Sequence, residues 1–218
     1  MKQFLLILLT FFLIKELSLA GTTTSKNKYL NDTEYYESGV NFYDNGEFKK
    51  SFIVFFNLAE KGNKDAIFNL SNMYFEGIGT TQDFSMSLKY TWLCSLNGNK
   101  KCLKKIKSIE EKLEEEEFLK ISKTIPKILE NKYVNDNNTL SAFQLGYWYE
   151  KISPEIDFEK SYLWYSVSVS SGIYKAMKIR DRVGKLIEKK KMTEIQVQAN
   201  EILTKNKYFN SNKDEDDL

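Results

Sequence analysis

Apolar residues recur along this chain at the three- and four-residue spacing of amphipathic helices. The clearest run places small and apolar residues on one helix face: Ala66, Leu70 and Tyr74. It ends in a loop that contains Gly77 and Gly79. A second helix is expected to begin at Asp83, because an acidic residue at a helix start interacts favourably with the macrodipole. No segment of any length alternates as a strand does, so the pattern predicts an all-α protein.

The helix pair recurs, and an acidic residue marks the second helix of each copy. Each of these acids is followed fifteen positions later by a glycine: Glu47 and Gly62, Asp83 and Gly98, Asp157 and Gly172. An aromatic residue follows each acid, and a serine lies four positions past it: Phe48 and Ser51, Phe84 and Ser87, Phe158 and Ser161. The preceding helices align on three small residues: Gly39, Ser71 and Gly146. A unit that cannot bury its own apolar face must stack on a neighbour, so the repeat predicts a helical solenoid.

An insert between the second and third copies is itself duplicated after the third. Residues 102–129 and 176–203 run parallel at an offset of 74. Each block is expected to form a pair of amphipathic helices, broken near the charged runs 114–117 and 189–191. These runs are interpreted as solvated turns or faces. The helical-repeat domain is therefore placed at 32–209, with repeats at 33–62, 63–98 and 139–172 and appended helix pairs at 101–131 and 174–206. The remaining segments are a signal peptide at 1–20, a polar leader at 21–31 and an acidic disordered tail at 210–218.

The start of the chain predicts export. Lys2, an apolar run over residues 4–14, and the small residues Ser18 and Ala20 are typical of a secretory signal peptide cleaved before Gly21. The apolar run is shorter than the roughly 20 residues that a membrane-spanning helix needs. The mature protein is therefore expected in a periplasm or outside the cell.

Composition excludes several kinds of chemistry. Cleavage would remove Lys2, Lys15 and Glu16, so 32 basic and 30 acidic residues become 30 and 29, a net charge of +1. This balance argues against general nucleic-acid or membrane-surface binding. The chain has no histidine and only two cysteines, which removes histidine nucleophile activation, histidine metal ligands and a four-thiolate zinc site. We expect no cofactor, no metal and no enzymatic activity.

The repeat resembles the Sel-one-like repeat family, a relative of the tetratricopeptide repeat. The middle copy matches the family pattern at nine positions: Ala66, Leu70, Tyr74, Gly77, Gly79, Asp83, Phe84, Tyr90 and Gly98. The usual glycine and alanine are replaced by Ser71 and Ser87. The third copy keeps seven of the positions: Leu145, Gly146, Tyr149, Asp157, Phe158, Trp164 and Gly172. The resemblance covers residues 33–207 and implies a right-handed α–α superhelix, a solenoid of antiparallel helix pairs.

The resemblance also bears on the two cysteines. Cys94 and Cys102 straddle Gly98, one near the end of a helix and the other near the start of the next. This is similar to the pairing in secreted cysteine-rich members of the family, where a disulfide ties one repeat to the next. In an exported protein the placement favours a disulfide, and the alternative is a pair of small buried thiols.

The resemblance implies a concave binding face formed by the first helix of each pair. Transferring the groove positions of tetratricopeptide repeats gives nine candidates for partner binding: Tyr36, Val40, Tyr43, Phe68, Asn72, Phe75, Phe143, Tyr147 and Glu150. Exposed aromatic residues suit the anchoring of a peptide or glycan chain. The alternative is that several of them pack in the core of a chain that is 14% aromatic.

The leading functional expectation is an exported scaffold or adaptor that binds a protein or peptide partner in bacterial envelope assembly or regulation. One alternative is a lumenal quality-control adaptor of the endoplasmic reticulum, which sequons at Asn31, Asn69 and Asn137 permit. Another is a hydrolase acting on cell-wall or β-lactam substrates, as described for some cysteine-rich relatives, although no Ser-x-x-Lys motif stands in a suitable setting. The oligomeric state is left open.

Overall fold

The computed structural model describes the backbone of residues 31–216 and the side chains of residues 31–206. The predicted signal peptide and residues 21–30 of the leader lie outside this range. Within it the chain forms helices and no strand, which confirms the all-α prediction. The α-helices are α1 (Asp32–Asp44), α2 (Phe48–Glu60), α3 (Lys64–Glu76), α4 (Phe84–Leu96), α5 (Lys100–Glu110), α6 (Glu115–Ser122), α7 (Thr124–Asn135), α8 (Leu140–Tyr147), α9 (Phe158–Ser170), α10 (Met177–Gly184) and α11 (Lys189–Asp216). A π-helical turn (Trp148–Ile152) extends α8, and a 3₁₀ turn (Tyr174–Ala176) precedes α10.

The acidic residues that mark the repeat stand at the starts of α2, α4 and α9. Asp83 and Asp157 are N-caps, whose carboxylates accept from the N–H of Met86 at 2.8 Å and of Lys160 at 2.9 Å. Glu47 precedes α2 without a side-chain cap bond. In each copy the backbone N–H of the acidic residue donates to the backbone carbonyl of an aromatic residue at the end of the first helix. The bonds run from Glu47 to Phe42 at 2.8 Å, from Asp83 to Tyr74 at 2.9 Å and from Asp157 to Tyr149 at 3.0 Å.

The two helices of each pair are joined by the same buried hydrogen bond. A serine of the second helix donates through Oγ to the backbone carbonyl of the small residue on the first: Ser51 to Gly39 at 2.8 Å, Ser87 to Ser71 at 2.9 Å, Ser161 to Gly146 at 3.0 Å. All three serines are fully buried. A Cβ built at Gly146 would lie 2.6 Å from the ring of Tyr165, so the third pair requires glycine at this position.

The second appended block forms the predicted helix pair, α10 and α11, but the first does not. The first forms three helices, α5 to α7. A helix tolerates proline only in its first turn, so the chain begins a new helix at Thr124, just before Pro126. In both blocks the helices are interrupted near the charged run, at 111–114 and at 185–188. The charged residues that follow begin α6 and α11. Glu115–Glu117 in the first turn of α6 interact favourably with the helix dipole.

The duplication of the blocks is visible in their burial. Residues 74 positions apart are buried in both copies: Cys102 and Ala176, Ile109 and Val183, Ile125 and Ala199. The final helix runs on to Asp216 and includes most of the tail expected to be disordered. Once a helix is established, each further residue adds a hydrogen bond at little cost, so a polar tail can continue it.

Most consecutive helices pack on one another along the chain, and α7 also contacts α4 and α11. The larger core cluster extends from Val54 on α2 to Ala199 on α11, and it contains an edge-to-face pair of Trp92 and Trp148 with ring centroids 5.1 Å apart. A second cluster surrounds Tyr165 where α9 meets α10 and α11. The helical insert therefore lies against the repeats and shares their core.

The two cysteines lie at the distance of a disulfide bond. The Sγ atoms of Cys94 and Cys102 are 2.01 Å apart and join the end of α4 to the start of α5. The equivalent residues of the third repeat are Ser168 and Ala176, both fully buried. Among the described residues, the Ser168 hydroxyl has no hydrogen-bond partner. The third repeat thus keeps this junction without the cross-link.

We predict that Gly146→Ala lowers the free energy of unfolding by about 1–3 kcal/mol, because the added methyl group overlaps the Tyr165 ring. Chemical denaturation monitored by circular dichroism measures the change. The matched control is Ser71→Ala at the equivalent position, which already accommodates a side chain and should change stability by less than about 1 kcal/mol. Equal losses in both variants would contradict the close approach at Gly146.

We further predict that Cys94→Ser with Cys102→Ala, which copies the third repeat, lowers the free energy of unfolding by about 2–3 kcal/mol. Closing even a short loop restricts the unfolded chain. Denaturation with and without a reducing agent measures the contribution of the disulfide to the free energy of unfolding. The native chain should lose stability on reduction and the variant should not.

The reciprocal variant, Ser168→Cys with Ala176→Cys, provides the control. The Ile173 N–H donates to the Ser168 carbonyl at 3.0 Å, as the Asn99 N–H donates to the Cys94 carbonyl at 3.3 Å, so the two turns are alike. We expect a second disulfide, detected as two fewer titratable thiols after oxidation. Persistent free thiols at both positions would show that the two junctions differ.

Candidate functional site

The first helices of the two leading pairs enclose a groove. It has a volume of about 380 Å³ and is called the N-terminal groove below. Its lining residues come from α1, α2, α3 and the loop after α3: Tyr36, Val40, Tyr43, Phe55, Asn69, Asn72, Met73, Glu76 and Ile78. Four of the nine sequence-predicted residues are therefore brought together here: Tyr36, Val40, Tyr43 and Asn72.

The groove combines an apolar floor with polar groups on its walls. Phe55 is almost fully buried below the Tyr36 ring, and the ring centroids are 5.5 Å apart. The Asn69 side chain donates to the Tyr36 hydroxyl at 3.0 Å, which holds α1 against α3. Tyr43 is 38% exposed at the rim, where its ring meets Phe48 edge to face. A bound chain would meet aromatic surface and amide groups together.

Lys105 of α5 lies at the edge of the groove. Its ammonium group donates to the Asn72 side-chain oxygen and lies 5.1 Å from the centre of the Phe75 ring. Burial lowers the pKa of Lys105, and the nearby Glu76 carboxylate opposes part of that shift. Lys105 therefore brings a partly desolvated positive charge next to the groove.

Lys105 is not among the residues predicted from the sequence, because α5 was expected to belong to an appended helix pair. One signal was available: Lys105 stands seven residues after Gly98, just as Asn69 stands seven residues after Gly62. By this register α5 occupies the place of a first helix.

The other two predicted residues of α3 do not line the groove. Phe68 is half-buried against the main core cluster. Phe75 packs edge to face on Phe84, with ring centroids 5.6 Å apart, and forms the surface below Lys105. For Phe68 the core-packing alternative therefore describes its environment better than a binding role.

The three candidates of the third repeat lie elsewhere. Phe143 packs on Tyr165, with Lys175 over its ring at 4.6 Å, and Tyr147 joins the same cluster under α10. Glu150 was expected on a binding face, but its side chain is only 1% exposed. These residues pack at the second core cluster and away from the N-terminal groove, so the predicted set does not form one continuous site.

Glu150 is held in a network of hydrogen bonds. Its carboxylate accepts from Arg182 at 2.7 Å and from Tyr165 at 3.1 Å, and it pairs with Lys151 at 2.9 Å. Burial would raise the pKa of Glu150, but the hydrogen bonds and charges of Lys151 and Arg182 outweigh it, so the pKa is lowered. The π-helical turn therefore carries an ionised carboxylate that joins α8 to α9 and α10.

A second cleft, of about 570 Å³, lies between α6, α7 and the segment that follows the π-helical turn. Burial raises the pKa of Glu130 within it, and the Lys160 and Lys127 charges oppose the shift. Burial, together with Glu130 and Asp157, raises the pKa of Tyr149 to about 12. Asp157 and Lys160 pair with each other at 3.0 Å, so much of the charge in this cleft is already compensated.

No protein-family model matches the chain, and no curated protein matches it. Over the described residues there is no cluster of metal-ligating side chains and no helix with the length and apolar character needed to cross a bilayer. The case for function consequently depends on the geometry of the N-terminal groove.

We predict that Glu150→Gln removes a pH-dependent part of stability. In the native chain the folded-state pKa of Glu150 lies below its ordinary value of 4.5, so the stabilisation is present above that pH and is lost as pH falls through the lowered pKa. The variant should be about 1–2 kcal/mol less stable at pH 7 and should lose less stability on acidification. Urea denaturation from pH 7 to pH 3 measures both. Glu155→Gln, an exposed neighbour, should keep the native pH profile; a native profile in Glu150→Gln would contradict the prediction.

Proposed function

We propose that this chain is an exported scaffold of the Sel-one-like repeat type that binds a peptide or protein partner along the N-terminal groove. The observation that carries the proposal is the convergence of Tyr36, Val40 and Tyr43 from α1 with Asn72 from α3 around one open groove. These residues stand at the positions that the repeat resemblance assigns to ligand contact.

The composition of the groove suits an extended chain. Aromatic side chains such as Tyr36 and Tyr43 supply large contact areas and lose little conformational entropy on binding. The amides of Asn69 and Asn72 offer hydrogen-bonding groups that can satisfy a peptide backbone. The apolar floor of Phe55 and Met73 offers a place for an apolar side chain of the partner.

The repeated Ser–carbonyl bond supports the solenoid part of the proposal. Since the same bond fixes all three helix pairs, each pair has a similar internal geometry, and stacking similar units with a constant rotation generates a superhelix. We propose the right-handed form that is characteristic of the resembling family.

The disulfide supports the location. Disulfides persist in oxidising compartments such as the periplasm and the cell exterior and are rare in the cytosol. A Cys94–Cys102 bond is consistent with the signal peptide expected at residues 1–20. We propose a role in assembling or regulating envelope proteins.

The test is affinity purification from the envelope fraction of the native host, with the mature chain and a Tyr36→Ala, Tyr43→Ala variant as parallel baits. We expect the native bait to retain a partner that the variant loses by at least about tenfold, the scale of loss for one or two central contacts. Tyr174→Ala is the matched control, because Tyr174 is 72% exposed and does not line the groove.

Circular dichroism and a melting curve verify that each bait is folded. A partner recovered equally on the native and the doubly substituted bait would move the binding surface away from the N-terminal groove. Failure to recover any partner on the native bait would count against a scaffold function.

A further inference from the structure

Helix α5 carries a concentration of positive charge that the fold does not neutralise. Its eleven residues include five lysines and one acidic residue: Lys100, Lys101, Lys104, Lys105, Lys107 and Glu110. Across the described side chains, none of these lysines forms an ion pair. The protein as a whole is close to neutral, so this helix is a local feature.

The placement of the charge is unfavourable for the helix itself. Lys100 and Lys101 occupy the first turn, where the helix dipole favours negative groups, and that turn contains no acidic residue. Lys101 and Lys105 are four residues apart on the same side of the helix, where like charges repel. Helix stability does not account for such an arrangement, whereas an anionic partner would.

Lys105 directs this charge toward the N-terminal groove. Its ammonium group is partly buried against Phe75, and its hydrogen-bond acceptor is the neutral side-chain oxygen of Asn72. Glu76 is near enough to act on Lys105 through space, yet the two form no salt bridge. A half-desolvated cation without a carboxylate contact gains most from an anion that arrives with the ligand.

We propose that the N-terminal groove selects a peptide segment in which an apolar side chain is followed by an aspartate or glutamate. The apolar side chain occupies the floor formed by Phe55 and Met73, and the carboxylate meets Lys105 on α5. The inference rests on the proposed peptide-binding function and adds the chemical class of the partner. The acidic group is a side chain within the segment, so a free carboxyl terminus is not required.

The disulfide contributes to this recognition by fixing α5. Cys102 lies one helical turn before Lys105 and is fully buried, so the Cys94–Cys102 bond anchors the turn that leads to the cation. Reduction is therefore expected to weaken binding of the acidic segment without direct contact between the disulfide and the ligand.

The experiment compares two pools of fluorescent twelve-residue peptides, all amidated at the carboxyl terminus, by fluorescence anisotropy with the full mature chain. Both pools have the same randomised apolar positions; one carries Asp or Glu where the other carries Asn or Gln. We expect the acidic pool to bind about tenfold more tightly at low salt, and its advantage to shrink as salt rises, because a charge-assisted hydrogen bond is formed at a partly exposed site.

Lys105→Met tests the assigned residue, since it keeps the length of the side chain but removes the charge. It should abolish the preference for the acidic pool, so that the variant binds the two pools with equal affinity. Lys185→Met is the matched control: it removes the same charge from an exposed position after α10 and should keep the preference. Melting curves establish that both variants are folded.

The outcomes distinguish the selectivity for an acidic segment from peptide binding itself. Equal binding of both pools, lost in Tyr36→Ala, would leave the peptide-binding function standing and overturn the acidic selectivity. A preference that survives in Lys105→Met, or that falls equally in Lys185→Met, would also overturn it. If the native chain binds neither pool, both the inference and the peptide-binding function fail.

Discussion

One buried hydrogen bond determines how the helices of this protein meet. In each repeat a serine hydroxyl reaches across to a backbone carbonyl at a residue small enough to let the helices touch, as Ser161 does with Gly146. Close contact at this point sets the angle of each pair and forces the larger side chains outward on either side. On one side they form the two core clusters. On the other side they leave the surface where α1, α3 and α5 present Tyr36, Asn72 and Lys105.

The local signals in the sequence were sufficient for the helix pairs. Aspartate caps and left-handed glycines act within a few residues of their own position, as Asp83 and Gly98 show. The buried serines bond only to the other helix of their own pair, so the spacing within one repeat unit is enough to indicate their role. The π-helical turn at Trp148–Ile152 could not be inferred in this way. It depends on what packs against it, and Arg182 reaches Glu150 from a helix more than thirty residues further along the chain.

The residues of the candidate site differ in the same way: some positions follow from local signals and others depend on distant contacts. Tyr36, Val40, Tyr43 and Asn72 lie together around the N-terminal groove, because two adjacent repeats suffice to form it. Phe143, Tyr147 and Glu150 were placed by analogy, but the first two are half-buried against the second core cluster and Glu150 is buried. Lys105 was overlooked for the opposite reason: a helix assigned to an appendage proves to stand beside the groove. In both cases the decisive fact is which helix lies next to a position, and that is a property of the assembled chain.

In each helix pair, the backbone N–H of the acidic residue donates to the backbone carbonyl of an aromatic residue at the end of the first helix. This hydrogen bond has a consequence for how the connections can vary. It spans connections of three different lengths, from Phe42 to Glu47, from Tyr74 to Asp83 and from Tyr149 to Asp157, and it keeps nearly the same distance in all of them. The length of the connection therefore does not determine how the two helices are held together. Such connections are the places where a lineage could lengthen, shorten or recompose the chain and acquire new surfaces while the helices beneath keep their arrangement.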